Sequence, residues 1–306
     1  MSGQEPLQKL SEEVIRLKKE RNAIILAHVY QRPEVQEVAD YVGDSLGLSQ
    51  QAASTGADVI VFCGVHFMAE SASILCPDKI VLLPEKSAGC PMADMAAVQE
   101  LKRKKQELPG SIVVCYVNTS AEVKAESDIA CTSANAVEIV ASLPEDKTVL
   151  FVPDKNLGSY IASRNGREMI MWQGYCPAHD SLNRADILKA KAEHPDAMVL
   201  VHPECRPEVV KLADLVTSTS GMIRFVKESN ASEFIIGTEG GILYPLQQQC
   251  PGKRFYLASD ALFCHDMKVT TLEKVHRALV SLEPQVKVPE EIRERAFHCL
   301  ERMLDI

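Results

Sequence analysis

Gly174-Tyr175-Cys176-Pro177-Ala178-His179-Asp180 decides the fold, because the chain repeats this kind of loop twice more. Ala88-Gly89-Cys90-Pro91-Met92-Ala93-Asp94 puts a cysteine 86 residues upstream, and Ala261-Leu262-Phe263-Cys264-His265-Asp266-Met267 puts one 88 residues downstream. Each cysteine follows a short apolar run: Lys79–Pro84, Glu168–Trp172 and Arg254–Ala258. A period this long and this constant reads as three copies of one supersecondary unit. Three thiols at equivalent places in three units can meet on a pseudo-threefold axis and share one inorganic centre.

Working outward, each unit opens on a β-rich run: Ala23–Ala27, Ile112–Cys115 and Ala197–Val201. Each run ends in a pair of polar or aromatic residues two apart, His28 and Tyr30, Tyr116 and Asn118, His202 and Glu204. Two such residues on a strand share a face. Counting 16 and 17 residues on from His28, Tyr116 and His202 reaches Asp44-Ser45, Thr132-Ser133 and Ser218-Thr219. These pairs follow a helix candidate (Glu34–Ala39, Ala121–Glu126, Glu208–Ala213) and precede another. Third strands are expected at Val59–Phe62, Val149–Val152 and Phe234–Ile236.

The order βαβαβαβ with near-continuous apolar strands predicts an α/β fold of three homologous α/β/α sandwich domains, each around a small parallel sheet. The segments are 22–106, 107–196 and 197–288, preceded by a helix in 1–21 and followed by one in 289–306. Leu7, Leu10, Val14 and Leu17 make the stripe of the first helix; Ile292, Ala296, Leu300 and Met303 make that of the last. Right-handed crossovers carry the strand ends, hydroxyl pairs and cysteines to one edge, where such sheets bind ligands.

With 306 residues, 46% of them hydrophobic, the chain can bury a core of this size. A net charge of −9 excludes a protein that binds nucleic acid through basic surface. No apolar run approaches the length of a membrane span. Met1-Ser2-Gly3-Gln4-Glu5-Pro6 lacks the marks of an export signal, so the ten cysteines are expected as thiols or ligands in a cytoplasmic protein.

One cysteine alone reads as a buried packing thiol. The matched position of Cys90, Cys176 and Cys264 makes them candidate metal ligands, three thiolates leaving a fourth position for substrate. Zinc with His179 or His265 as fourth ligand competes on residue types. Cys63, Cys76, Cys115, Cys131, Cys205, Cys250 and Cys299 lack the triplication and read as packing residues. A Ser or Thr at a helix start is ordinarily a cap, but three equivalent starts offer free N–H groups suited to carboxylate or phosphate. Ser45, Ser133, Ser218 and Thr219 are therefore candidate substrate contacts. His28, Tyr30, Tyr116, Asn118, His202 and Glu204 bring imidazole, phenol and carboxylate to the same edge, a set suited to proton transfer beside an electrophilic metal.

Taken together, these residues resemble the quinolinate synthase family. The resemblance is carried in order by Ala27-His28-Val29-Tyr30-Gln31, Gly43-Asp44-Ser45-Leu46 and Gly64-Val65-His66-Phe67-Met68-Ala69-Glu70. It continues through Tyr116-Val117-Asn118, Cys131-Thr132-Ser133-Ala134-Asn135 and Pro153-Asp154-Lys155-Asn156-Leu157-Gly158. Trp172-Gln173-Gly174-Tyr175-Cys176, His202-Pro203-Glu204-Cys205, Ser218-Thr219-Ser220-Gly221, Gly237-Thr238-Glu239 and Cys264-His265-Asp266-Met267-Lys268 complete it. It implies three α/β domains around a central site and a [4Fe-4S] cluster on Cys90, Cys176 and Cys264, with one iron free of protein ligands.

The implied reaction joins iminoaspartate and dihydroxyacetone phosphate into quinolinate for NAD biosynthesis, next to an L-aspartate oxidase or dehydrogenase. By motif match His28, Ser45, Tyr116, Asn118, Ser133, His202 and Thr219 would contact substrate or product, and Tyr30 and Glu204 would be acid–base groups. Cys264 stands without the cysteine cluster that follows it in some members. Two rival readings are an iron–sulfur hydro-lyase with no triose substrate and a non-enzymatic sensor stapled by its metal.

Overall fold

Apolar runs of strand length recur between amphipathic helices, and the computed structural model, which describes residues 4–306, folds them into three four-stranded parallel sheets. The first three residues of the leading segment lie outside the described residues. The first sheet holds β1 (Ala23–His28), β2 (Tyr41–Gly43), β3 (Val59–Cys63) and β4 (Ile80–Leu82) in the order β2-β1-β3-β4. The second holds β5 (Ile112–Tyr116), β6 (Ile129–Cys131), β7 (Val149–Val152) and β8 (Ile170–Met171) in the order β6-β5-β7-β8. The third holds β9 (Met198–Val201), β10 (Leu215–Val216), β11 (Glu233–Gly237) and β12 (Arg254–Leu257) in the order β10-β9-β11-β12.

The repeat extends to individual hydrogen bonds. Asp40, Asp128 and Asp214 each accept the backbone N–H of the second or third position of the unit's first strand, Ile25 at 2.8 Å, Val113 at 2.7 Å and Val199 at 2.7 Å. Each aspartate's own N–H returns to that residue's carbonyl at 2.9 Å. One acid per unit thus sets the register of the edge strand β2, β6 or β10.

Alternate residues of the central strands feed opposite faces, as the pleat requires. Leu26, Ile60 and Phe62 join the largest core, whereas Ile25, Ala27 and Val61 join a second one with Val14, Leu17, Leu272, Val275 and Leu279. Each such side chain, fully buried, contributes about 1.5–3 kcal/mol. Two C-terminal helices are therefore recruited to sheets far from them in the chain. Helix Leu272–Ser281, which follows the third cysteine loop, packs with Gln4–Glu20 on the first sheet. Helix Glu290–Leu304 buries Ala296, Cys299, Leu300 and Met303 with Val114, Ile129 and Cys131 of the second sheet; Ile292 is only half-buried. No helix of the described residues is long and apolar enough to cross a membrane.

Candidate active site

The cysteine loops are built alike. Cys90, Cys176 and Cys264 each sit in extended backbone just before a one-turn helix, Pro91–Asp94, Pro177–Asp180 and His265–Lys268. Proline at the first helical position, with φ already set, favours that turn in the first two. In each repeat the turn after the third strand donates an N–H to the carbonyl two residues before the cysteine. His66 donates to Ala88 at 2.8 Å, Lys155 to Gly174 at 2.9 Å and Gly240 to Leu262 at 3.0 Å. These three pegs bring the thiols to the strand-end edge.

There a cavity of about 180 Å³ is lined by all three cysteines together with His28, Tyr30, Ser45, Tyr116, Asn118, Ser133, His202, Glu204 and Thr219. Ser218 stays outside the lining; its hydroxyl caps helix Thr219–Glu228 by accepting the Gly221 N–H at 3.2 Å. Asp44 caps Ser45–Ser54 in the same way, accepting from Gly47 at 3.0 Å. The second repeat departs from the expected pattern. Its helix, Ala136–Ser142, begins beyond Thr132-Ser133 because Asn135 Oδ1 takes the Thr132 N–H at 2.9 Å and holds a turn there. Ser133 thereby reaches His202, Oγ to Nε2 at 3.1 Å.

Glu204 is the electrostatic centre. Its Oε1 accepts the Tyr116 hydroxyl and its Oε2 lies 2.6 Å from His179 Nδ1. Burial pushes this carboxyl up, but His179 and His202 and the bonds from His179 and Tyr116 outweigh it and hold the group below the usual carboxylate range. Glu204 is thus an anion. Nε2 of His179 meets Thr238 Oγ1 at 2.8 Å, and that hydroxyl meets the Tyr30 hydroxyl at 2.6 Å. Close polar contacts therefore run Tyr30–Thr238–His179–Glu204–Tyr116, and His179 Nδ1 also meets Cys176 Sγ at 3.2 Å. Burial, then the Glu204 charge, raises both tyrosines well above their ordinary value, so both phenols stay protonated.

His28 and His202 each turn Nδ1 to a backbone N–H two residues on, Tyr30 at 3.2 Å and Glu204 at 3.4 Å. Burial drives both imidazoles down to about 3, so the neutral rings carry their proton on Nε2. Two buried oxygens of the lining, Asn118 Oδ1 and Asp44 Oδ2, have no protein partner. An unpartnered buried polar atom calls for a ligand or solvent.

A family described as quinolinate synthetase A protein matches residues 12–305. The chain belongs to that family. Among similar proteins named quinolinate synthase, one from Desulforudis audaxviator is 59% identical over 95% of this chain and 96% of its own. One from Methanosarcina barkeri is 56% identical and one from Geobacter metallireducens 58% identical, each over 97% of both chains.

Within this quinolinate synthetase A fold the metal chemistry can be tested on donor atoms. Among the described residues, one set of three ligand atoms lies within 4.8 Å of one another, on Cys176, His179 and Glu204. Cys90, Cys176 and Cys264 do not themselves form such a set. Burial raises their thiols, Cys90 to about 12, Cys264 to about 11 and Cys176 well above the ordinary value, while N–H groups of Ala93, His179 and Met267 act the other way. Of the other seven cysteines, six are buried and Cys250 is half-buried.

In the sequence His179 stands only as a possible zinc ligand and Thr238 only within Gly237-Thr238-Glu239, and nothing there joins either to the acid–base set. Their link to Tyr30 and Glu204 crosses all three repeats, and spacing along the chain carries no sign of it.

Proposed function

We propose that the protein condenses iminoaspartate with dihydroxyacetone phosphate to quinolinate, phosphate and water, with Cys90, Cys176 and Cys264 holding a [4Fe-4S] cluster. One observation carries the reading: three equivalent loop cysteines converge on the cavity that holds an ionised Glu204 and protonated Tyr30 and Tyr116. When bound, the cluster would supply a Lewis-acidic iron without a protein ligand, which assists loss of hydroxyl.

The chain's own residues do the rest. The N–H groups at Ser45 and Thr219 bind the dicarboxylate, aided by Ser133, Asn118 and the Nε2–H groups of His28 and His202. Glu204 takes the proton whose removal makes the enamine carbon nucleophilic toward the triose. Tyr30 returns a proton to the departing oxygen and is recharged along Thr238 and His179. The product feeds pyridine nucleotide biosynthesis in the cytoplasm, and the iminoaspartate comes from an enzyme that oxidises aspartate.

The compact Cys176–His179–Glu204 group favours a second reading, a single bound ion. Against it, His179 Nδ1 lies 2.6 Å from Glu204 Oε2 and 3.2 Å from Cys176 Sγ, so the three groups are engaged with one another at hydrogen-bonding distances. The test is an anaerobic assay of loaded protein with both substrates, read by chromatography of quinolinate. Turnover that needs both substrates supports the reaction. Turnover of a dicarboxylate without the triose indicates a hydro-lyase, and no turnover with tightly bound zinc indicates the single-ion protein.

A further inference from the structure

We infer that Glu239 and Lys268 form a positioning pair that fixes Tyr30 against the Cys264 loop. This rests on the reading above for its kinetic consequences. Glu239 is fully buried and follows Thr238 in the turn after β11. Both its oxygens are engaged. Oε1 accepts the Cys264 backbone N–H at 3.3 Å, Oε2 accepts the Gly241 N–H at 2.7 Å, and the Lys268 ammonium lies 2.9 Å from Oε1 and 3.1 Å from Oε2. Lys268 also donates to the backbone carbonyl of Tyr30. One ion pair therefore joins the cysteine loop of the third repeat to the strand end of the first, beside the phenol that heads the proton path.

The surrounding contacts leave little room for an alternative seat. A Cβ on Gly241 would lie 2.7 Å from Tyr30 Cα and 2.7 Å from Lys268 Nζ, so only glycine lets this turn press on the Tyr30 backbone. Arg32 Nε donates to the Lys268 carbonyl at 2.7 Å, and Gln36 Nε2 bridges the carbonyls of Gln31 at 2.9 Å and Gly241 at 3.3 Å. The charged pair is the one link in this seam that touches Tyr30 and Cys264 at once. Glu239 also borders the cavity, but both its oxygens are taken up by Cys264, Gly241 and Lys268, so each member of the pair acts through the residue it holds.

The test uses anaerobically iron-loaded full-length protein with Lys268→Met, Lys268→Arg and Glu239→Gln. Buried partners that orient ligands and reacting groups are typically worth about 10–100-fold when removed. Lys268→Met should lower kcat by about that factor with KM for both substrates within about threefold, and speed iron release to a chelator by about tenfold. Glu239→Gln, which keeps an acceptor for Cys264, should show the same pattern, and Lys268→Arg should recover most of it. Should Lys268→Met fail to load, the other two variants carry the comparison. Wild-type kcat and wild-type iron release in Lys268→Met or Glu239→Gln would overturn the proposal, as would equal loss in Lys268→Arg and Lys268→Met. If wild-type protein makes no quinolinate, the reaction assignment fails by itself, and iron release alone decides whether the pair holds the loop.

Discussion

His179 Nδ1 faces Glu204 Oε2 at 2.6 Å, with both side chains almost wholly removed from solvent. The two residues belong to different segments, one three residues after Cys176 and the other three beyond the end of β9 at Val201. Their contact joins the polar contacts that run from Tyr30 to Tyr116. Replacing His179 by Gln should lower kcat by about 10²–10⁴-fold, the range for a group that relays protons. KM and iron content should stay close to wild type. Steady-state kinetics and iron analysis on the same preparation check both halves, and a variant that loses its metal instead would make His179 a ligand.

Glu204→Gln should retain the cluster's visible absorbance and lose most turnover. The amide keeps the shape and can still accept from Tyr116, but it cannot take a proton. Unchanged turnover would remove Glu204 from the acid–base role.

Burial, reinforced by the repulsion between His28 and His202 when both are protonated, drives His28 from its ordinary 6.5 to about 3. In the unfolded chain that imidazole takes a proton near pH 6.5 which the folded protein refuses. The stability it contributes is thus present above pH 6.5 and lost as pH falls toward 3. Relative to a His28→Gln variant, wild type should lose up to about 1.4 kcal/mol of unfolding free energy per pH unit below that point. Chemical denaturation of the two proteins at pH 7.5, 6 and 5 measures the difference, which should not change above pH 7.

Lys124 is fully buried, with its ammonium bonded to the carbonyls of Val117 at 2.8 Å and of Thr119. Those carbonyls flank Asn118, so the lysine holds the loop that presents Asn118 to the cavity. Lys124→Met leaves both without a donor and should cost about 1–3 kcal/mol for each. Denaturant titration reads the loss. Substrate KM should rise as well, because Asn118 loses its frame.

Much of this arrangement can be read along the chain. The apolar runs place the first and third strands of each unit and the strand before each cysteine loop, whereas β2, β6 and β10 are two or three residues long, too short to make such a run. The near-equal spacing of Cys90, Cys176 and Cys264 matches their equivalent places just before one-turn helices. What the residues do not announce is whatever depends on contact between repeats. Helix Leu272–Ser281 follows the third cysteine loop, yet its apolar stripe fits the first sheet, and a stripe alone does not say which sheet it meets. Thr132-Ser133 counts as a helix start by spacing, but the side chain of Asn135 delays the helix to Ala136. Lys124 has the composition of a surface helix residue, and only the carbonyls around it account for its burial.

Gly174 shows how tightly the cysteine loops are pegged. A Cβ there would lie 2.6 Å from the Pro153 carbonyl oxygen, which is backbone and cannot swing aside. Gly174→Ala should therefore shift the Cys176 loop, destabilise the fold by about 1–3 kcal/mol and lower iron content after reconstitution. Iron retained at the wild-type level would mean that the loop adapts without moving its sulfur.

The three repeat-related thiols are proposed to hold one polynuclear centre. The most direct measurement is anaerobic iron and acid-labile sulfide content of purified wild type and of Cys90→Ala, Cys176→Ala, Cys264→Ala and His179→Gln. The account predicts iron and sulfide in equal amounts in wild type and in His179→Gln, with both lost in each cysteine variant. Stoichiometric zinc without sulfide, lost from Cys176→Ala and His179→Gln but kept in Cys90→Ala and Cys264→Ala, would contradict it.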